Sequence, residues 1–511
     1  MSSQMGERSC THLLKLGVMV LMTLAFSCKE EGKELTVSAK DTRPNIIWLM
    51  AEDISLDLEC YGMKGVQTPN LNKMAAEGVR FDNCFVTNSI CSPSRSAMLV
   101  GTHQTKINAH NHRSNREVPL HTDYKPFTYW LRKSGYTAVL GHHGVMDKGR
   151  KIDVNFKHKP LGPWDGQTKF GLFDKFDRFE ETDQPFFAQI QLKVTHRGEW
   201  WSDVREKSED KVDINEIELP PYYADHPAIR LDWAKYLDQI EYMDYEVGLI
   251  FKELEEKNMA DNTIVIFIGD NGRCNIRGKG YLHDSGLRIP FIVYDPNSKL
   301  QGIVNTDVVS ATDITATILD YAGINIPEYM TGQPIFSPDF DREQVYATRD
   351  LWDEILEKSR GITTDRWKYI RNDKPEIPFD AGQAYLEFYR PAVHVMRNLN
   401  EKGELNKTQE FFFLGQKPEE ELYDLKEDAH ELHNLATEEQ FKEQLLAMRN
   451  RTREMDSLMQ PVDSVFEPVI PRSVEVLQWV KSKKPELHKQ MREGLEIGFK
   501  KTATAYQKAK K

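Results

Sequence analysis

Arg43-Pro-Asn-Ile-Ile-Trp-Leu-Met-Ala-Glu-Asp53 is an apolar run closed abruptly by two carboxylates. The run is short, continuous and apolar on both alternating faces, which reads as a strand buried on both sides of a sheet. Four further stretches share its texture: Thr137 to Leu140, Phe186 to Val194, Thr263 to Ile268 and Pro290 to Tyr294. Helical segments separate them. The clearest helix is expected from about Leu231 to Met259, where Trp233, Tyr236, Leu237, Ile240, Met243, Val247, Ile250 and Phe251 recur at helical spacing. Buried parallel strands alternating with helices predict an α/β fold whose sheet is covered on both faces. After about Ile335 the texture changes to short charged segments such as Arg366-Trp-Lys-Tyr-Ile-Arg371, which predicts a smaller antiparallel subdomain. From about Pro471 the chain reads as helical and Lys-rich. Lys500, Lys501, Lys508, Lys510 and Lys511 are read there as a solvated face. The expected organisation is therefore a leader over 1–28, a linker over 29–42, a main domain over 43–335, a C-terminal subdomain over 336–470 and a helical tail over 471–511.

The 511 residues carry 67 Lys plus Arg against 79 Asp plus Glu, a net charge of −12, which argues against a nucleic-acid partner. With 40% hydrophobic residues the chain can bury a large core. Arg8 and Lys15 precede the apolar run Leu16 to Phe26, which has the form of an export signal and is too short to span a ~30 Å hydrocarbon layer as a helix. Any membrane attachment is then expected through a lipid anchor. Beyond Cys10 and Cys28, only Cys60, Cys84, Cys91 and Cys274 remain, too few for a disulfide scaffold in a chain of this length.

Ligands of open α/β sheets bind outside the carboxyl ends of the strands, so the residues just past each run are candidates. These are Glu52-Asp53, Thr195-His196-Arg197 and Gly269-Asp270-Asn271-Gly272. Glu52, Asp53, Asp270 and Asn271 form an all-oxygen set, the preference of Ca²⁺ or Mg²⁺ over Zn²⁺. Between them lies Cys91-Ser-Pro-Ser-Arg95, opening a helix-forming stretch. A cysteine at a helix start has its anion favoured by free N–H groups, so Cys91 is also read as a candidate reactive thiolate.

Cys91-x-Pro-x-Arg95 resembles the signature of the formylglycine-dependent sulfatase family, in which that cysteine is oxidised to 3-oxoalanine. The resemblance continues through Arg43-Pro-Asn-Ile-Ile-Trp48, Thr68-Pro-Asn-Leu71, Glu77-Gly-Val-Arg-Phe81 and Arg277-Gly-Lys-Gly-Tyr-Leu-His-Asp-Ser-Gly-Leu-Arg-Ile-Pro290, and resumes at Glu421-Leu-Tyr-Asp-Leu-Lys-Glu-Asp428 and Asn434-Leu-Ala436. Within the family the chain is similar to Bacteroidetes polysaccharide sulfatases, which often carry Glu-Asp at the acidic pair. Leu24-Ala-Phe-Ser-Cys28 resembles a lipobox, and Lys29-Glu-Glu-Gly-Lys-Glu34 resembles the tether of exported surface lipoproteins. The resemblance thus implies lipidation at Cys28 and a periplasmic or outer-membrane location.

It further implies an alkaline-phosphatase-like sandwich, with a large, mixed and mostly parallel sheet between helices and a smaller C-terminal α+β subdomain. The implied activity is hydrolysis of sulfate esters on a sulfated glycan, after processing by a formylglycine-generating maturase. The implied metal is Ca²⁺, ahead of Mg²⁺, on Glu52, Asp53, Asp270, Asn271 and the modified Cys91. Arg95 would hold the nucleophile, and His196 and Lys279 would bind sulfate and protonate the leaving group. The family's further lysine is ambiguous, because Gly141 runs into His142-His143-Gly-Val-Met-Asp-Lys148-Gly-Arg-Lys151-Ile-Asp153-Val-Asn155. Lys151 matches the Lys-x-Asp-x-Asn form of some polysaccharide-acting relatives and is preferred. Lys148 is second, and His142 or His143 could face the nucleophile instead.

His103, His110, His112 and Arg113 follow the nucleophile helix, and these four donors, with His143, are candidate substrate contacts. Arg349 and Asp353 resemble a segment by which the subdomain reaches the pocket, with structural salt bridges an equal reading there. Rival readings are a phosphonate or phosphate ester hydrolase of the same superfamily and a non-catalytic glycan-binding lipoprotein.

Overall fold

A computed structural model describes residues 42–141, 150–166, 168–460 and 470–510. Its strands are β1 (Asn45–Ala51), β2 (Val79–Phe85), β3 (Thr137–Gly141), β4 (Lys159–Leu161), β5 (Gly171–Phe173), β6 (Lys175–Phe176), β7 (Phe186–Leu192), β8 (Thr263–Gly269), β9 (Arg288–Tyr294), β10 (Ile303–Ser310), β11 (Val345–Trp352), β12 (Ile355–Thr363), β13 (Trp367–Asn372) and β14 (Glu420–Asp424). Eight of them form one sheet in the order β10-β2-β9-β8-β1-β7-β3-β6.

β1 lies at the centre of this sheet, parallel to β7 and β8. Every residue of it is buried. Ile46, Trp48 and Met50 join one hydrophobic cluster, while Ile47, Leu49 and Ala51 join the cluster on the opposite face. This is the period-two signature of a strand covered on both sides. Each large apolar side chain so buried contributes about 1.5–3 kcal/mol. One face is covered by the helices Cys91–Val100 and Ala311–Tyr321, the other by the helix Pro227–Glu256. That last helix starts four residues earlier than the periodicity predicts, because His226 caps it, its Nδ1 accepting from Ala228 N at 3.1 Å, and Pro227 occupies its first position.

One of the five strands read as parallel is not. β9 runs antiparallel to both β8 and β2. A parallel neighbour needs a crossover to the far end of the sheet, usually a helix. The segment between β8 and β9 instead holds only the short helix Asp284–Leu287, so the chain returns from the end it left. β2 and β10 pair in parallel at the sheet's far side, which makes the sheet mixed and mostly parallel.

β11 to β14 form an antiparallel sheet in sequence order, its apolar face covered by the helix Lys442–Leu458 through Leu445 and Met448. The helices Arg472–Lys483, Pro485–Arg492 and Phe499–Lys510 share a further cluster with Ala384 and Phe388 of the helix Ala384–Tyr389. Residues from Thr42 onward gather into one compact unit. Lys500, Lys501, Lys508 and Lys510 are exposed, while Lys511 lies outside the described residues. Among the described residues no helix is long and apolar enough to cross a membrane.

Candidate active site

The register of the central strands sets the site. Ala51 pairs with Leu192 on one side and Gly269 on the other, so β7, β1 and β8 end at one level. Glu52 N donates to Leu192 O (3.2 Å) and Asp270 N donates to Ala51 O (2.9 Å), closing the ladder where the carboxylates begin. Asp53 then takes a left-handed backbone (φ 51°). Its N–H donates to Asp270 Oδ1 at 3.0 Å, which locks the two strand ends together.

The helix Cys91–Val100 points its first turn at these ends. Ile90 is its extended N-cap, and Pro93 falls in the first turn, where a missing N–H costs nothing. Ser94 Oγ donates to Asp270 O at 2.6 Å, anchoring the helix to β8. Cys91 Sγ lies 2.9 Å from Lys279 Nζ and 3.7 Å from Asp53 Oδ1. Lys279 Nζ also donates to Asp53 Oδ1 at 2.7 Å. Arg95 Nε donates to Asp270 Oδ2 (2.8 Å) and its Nη1 to Gln191 Oε1 (2.6 Å). Lys151 Nζ pairs with Glu52 Oε2 at 2.5 Å and stands 3.6 Å from Asp153. His196 Nε2 stands 3.7 Å from that same Glu52 oxygen.

Three buried oxygens just past the ends of β1 and β8 accept nothing: Glu52 Oε1, Asp53 Oδ2 and Asn271 Oδ1. Buried acceptors left without donors are costly, and carboxylate and amide oxygens are the atom type a hard cation takes. Ligand atoms of Asp53, Cys91 and Asp270 already lie within 4.8 Å of one another, a grouping able to hold a divalent ion. Asn271 Nδ2 donates to Asp53 Oδ1 (3.0 Å) and Gly272 O (2.8 Å), so it is the oxygen of this amide that is left for another partner.

The electrostatics follow from burial and pairing. Burial opposes ionisation of Asp53, but Lys279 and His196 outweigh it and hold the carboxyl well below its usual range. Burial also opposes the charge of Lys279 and Lys151, yet Asp53 and Glu52 respectively keep both ammonium groups firmly protonated. His196 is pushed down to about 3, chiefly by burial and then by the neighbouring lysines against the pull of Asp53. Its Nδ1 faces Arg197 O at 3.0 Å, which assigns the proton of the neutral ring to Nδ1 and leaves Nε2 a bare acceptor. The thiolate expectation for Cys91 is corrected: burial and the Asp270 charge raise this thiol well above its ordinary value, outweighing Lys279. The helix start does not compensate for a buried seat among carboxylates.

The family profile described as Sulfatase matches residues 44–324, more than half of the chain. The chain belongs to the sulfatase family, the sulfuric ester hydrolases. The profile of the N-sulphoglucosamine sulphohydrolase C-terminal region matches residues 272–379 of this sulfatase. An ulvan-active sulfatase of Formosa agariphila is 29% identical over 84% of this chain and 79% of its own length. A protein solved in complex with its substrate D-glucosamine-2-N,6-O-disulfate superposes with a TM-score of 0.55 at 16% identity, covering 83% of this chain and 100% of the other. The phosphonate monoester hydrolase of Agrobacterium radiobacter does so with a TM-score of 0.57 at 16% identity, covering 84% and 97%. These structural likenesses support the alkaline-phosphatase-like fold.

Around the sulfatase centre the expected substrate contacts divide. Arg113 sits at the rim: its N–H donates to Ser92 Oγ (3.1 Å) and its guanidinium stands 3.5 Å from Asp153, the carboxylate beside Lys151. His112 Nδ1 meets Asp353 at 2.8 Å, and Gln383 Nε2 donates to the other Asp353 oxygen at 2.9 Å. This chain of contacts ties the tip of the small sheet to the loop after the nucleophile helix. His103 is corrected. His103 is buried on Thr105 Oγ1 (2.7 Å) and against the Tyr346 ring, which fills its polar and apolar needs locally. His110 lines a separate cavity of about 310 Å³ with Tyr346, Asp350, Arg360 and Arg371. Arg349 is buried in an ion pair with Glu357 and packs over Tyr281 and Trp352, the salt-bridge reading of that segment. His142, His143, Lys148 and Cys28 lie outside the described residues.

Two site residues went unread in the sequence. Gln191, with Gln189 two residues before it, interrupts the apolar buried strand β7, a signal that was present. Tyr385 stands with its ring 5.9 Å from Lys279 Nζ and 6.4 Å from the His196 ring, and no local pattern marks it. The Lys279 loop also depends on one glycine. Gly280 has φ +91°, and a Cβ there would fall 1.8 Å from Trp352 Cζ3, so only glycine fits beside the Trp352 ring at this point of the loop.

Proposed function

We propose that this sulfatase removes sulfate from a sulfated carbohydrate, using Cys91 oxidised to formylglycine and one Ca²⁺ held by Glu52, Asp53, Asp270 and Asn271. The observation that carries this reading is the set of three unpartnered buried oxygens around a cysteine that itself touches a lysine. Three carboxylates (Glu52, Asp53, Asp270) face three cations (Arg95, Lys151, Lys279), so the protein groups alone nearly cancel. A divalent cation tips the balance toward an anionic ester, and it supplies Lewis acidity for charge developing on oxygen. Replacing the Cys91 thiol by a hydrated aldehyde supplies one hydroxyl for attack on sulfur and a second whose deprotonation later releases sulfate.

The remaining residues bind and move protons. Arg95, held by Asp270 and Gln191, keeps a fixed positive charge beneath the nucleophile. Lys279 lies against position 91 and donates to the nucleophile or to a sulfate oxygen. Lys151 approaches from the Glu52 side and serves the sulfate there. His196 begins neutral; an anionic ester beside it favours its protonated form, and the imidazolium then delivers the proton to the leaving sugar oxygen from Nε2. The relative active on ulvan supports a carbohydrate substrate.

The test is a rate comparison. Aryl sulfate and defined sulfated oligosaccharides should turn over, with inorganic sulfate released, while aryl phosphonate is cleaved far more slowly; the opposite ranking sinks the sulfate assignment in favour of the phosphonate one. In the same assay Lys151→Ala should lose on the order of 10² to 10³ in turnover, the effect of one charge-assisted donor in a dry site. An active Lys151→Ala enzyme would pass that role to another cation.

We also propose export as a lipoprotein modified on Cys28, on the strength of Arg8, Lys15 and the run Leu16–Phe26 before it, with a maturase acting on Cys91. Fatty-acid labelling that persists in Cys28→Ala would refute the anchor.

A further inference from the structure

Lys279 reaches Cys91 from a loop that the small subdomain holds in place. Tyr281 Oη donates to Phe379 O (2.7 Å), His283 Nε2 meets Glu421 (3.0 Å), and Arg390 Nη2 donates to the carbonyl of Lys279 itself (2.9 Å). Arg390 lies where the helix Ala384–Tyr389 ends and the helix Pro391–Glu401 begins. It is 2% exposed, and its Nε and Nη1 have no hydrogen-bond partner. Its other neighbours are Cys274 Sγ, 4.0 Å from Nη2, and the Trp352 ring, 5.9 Å away. Among the described residues no carboxylate stands within ion-pair distance of this guanidinium.

A charge taken out of water is ordinarily paired, because the lost hydration far exceeds what one hydrogen bond returns. The same segment shows the ordinary solution. Arg397, two turns further on, pairs with Asp380 (2.7 Å) and Glu387 (2.8 Å), and Glu357 on β12 is taken by Arg349 and Lys417. Arg390 has one carbonyl and an aromatic ring instead. Holding the Lys279 carbonyl needs only a neutral N–H, so the hydrogen bond does not account for the charge. What lies within reach of its field is the catalytic centre. Cys274 Sγ stands 3.9 Å from Tyr385 Oη, and the Tyr385 ring stands 5.9 Å from Lys279 Nζ, which touches Cys91. There Glu52, Asp53 and Asp270 already balance Lys151, Lys279 and Arg95. A fourth positive charge with no carboxylate of its own stays unbalanced, and a dry interior screens it little.

We propose that Arg390 is a positioning residue of the sulfatase centre: its hydrogen bond fixes the Lys279 carbonyl, and its unpaired buried charge draws the sulfate group into the pocket, a charge retained against the stability of the fold. The proposal rests on the reading of Lys279 as a sulfate-side donor. It gives the small subdomain a part in sulfate recognition through a side chain that stands behind Lys279.

The test reads sulfate affinity and stability together. Arg390→Gln keeps an N–H for the Lys279 carbonyl and removes the charge. In Ca²⁺-loaded protein, calorimetric titration with inorganic sulfate should show binding weakened on the order of tenfold, the size expected of one charge felt through roughly 10 Å of protein. Its melting temperature should hold or rise, because an uncompensated buried charge has gone. Arg390→Lys, which retains the charge, should bind sulfate within about threefold of wild type. Arg397→Gln should behave in the inverse way, with a lower melting temperature from the two carboxylates left unpaired and an unchanged sulfate affinity. Wild-type sulfate affinity in Arg390→Gln, or a melting temperature lowered as far as in Arg397→Gln, overturns the proposal, since either result makes this guanidinium a structural anchor. Sulfate binding that depends on Arg390 in a protein unable to cleave aryl sulfate overturns the catalytic reading alone.

Discussion

Cys91→Ala protein should fold and melt close to the wild-type temperature yet lose about 10⁴ to 10⁶ in turnover, the scale seen when a covalent nucleophile is removed. The helix that carries Cys91 is held by contacts this change leaves alone: Ser94 on Asp270 O, Asn155 N on Ser96 Oγ, and the packing of Met98, Leu99 and Val100 in the core. The raised pKa of the buried thiol sharpens the expectation. A thiol whose ionisation is opposed by burial is a weak nucleophile, which is in line with the proposed oxidised side chain. Active wild-type enzyme should show, at position 91, the mass change of sulfur replaced by oxygen with loss of two hydrogens. Full activity in protein whose Cys91 remains a thiol would refute the formylglycine assignment.

Stripping the metal should have an effect of similar size. A chelator-treated sample, verified metal-free by elemental analysis, should retain under about one per cent of activity, and Ca²⁺ should restore it better than Mg²⁺, which demands a tighter octahedral shell. Glu52 Oε1, Asp53 Oδ2 and Asn271 Oδ1 have no donor to turn to, so loading the site should also stabilise the fold. At a hundredfold excess over the dissociation constant the gain is about 2.7 kcal/mol, visible as a higher melting temperature in the Cys91→Ala protein as well. Undiminished activity in the metal-free sample, or a melting temperature indifferent to Ca²⁺, would count against the four-residue seat.

β1 and β8 were legible as strands because burial on both faces leaves an unbroken apolar run, and the carboxylates that stop those runs were legible as a set because sheet ligands gather at strand ends. The cysteine signature was legible through resemblance to the family, because its five residues are contiguous in the chain. Lys279 and His196 could be named through resemblance, and the structure brings them to Cys91 and Glu52 respectively. What local pattern could not carry is direction and partnership. β9 looks like its parallel neighbours, since burial does not record which way a strand runs; its reversal follows from a connection that holds no crossover helix. His103 and Arg349 have the residue types of a substrate site, but Thr105 and Glu357 claim them, because a polar side chain serves whichever partner the fold brings within hydrogen-bond range. The protonation of Cys91 was misread for the same reason: its helix position is local, while its burial beside Asp270 is not. Thus the apolar periods and strand-end carboxylates determined the kind of sheet and where its chemistry lies, from neighbour-to-neighbour physics alone. Only the tertiary structure decided that Tyr385 stands beside His196 and Lys500 over Trp200, because contacts between residues hundreds of positions apart are set by how the later helices pack on the segments after the main sheet's strands.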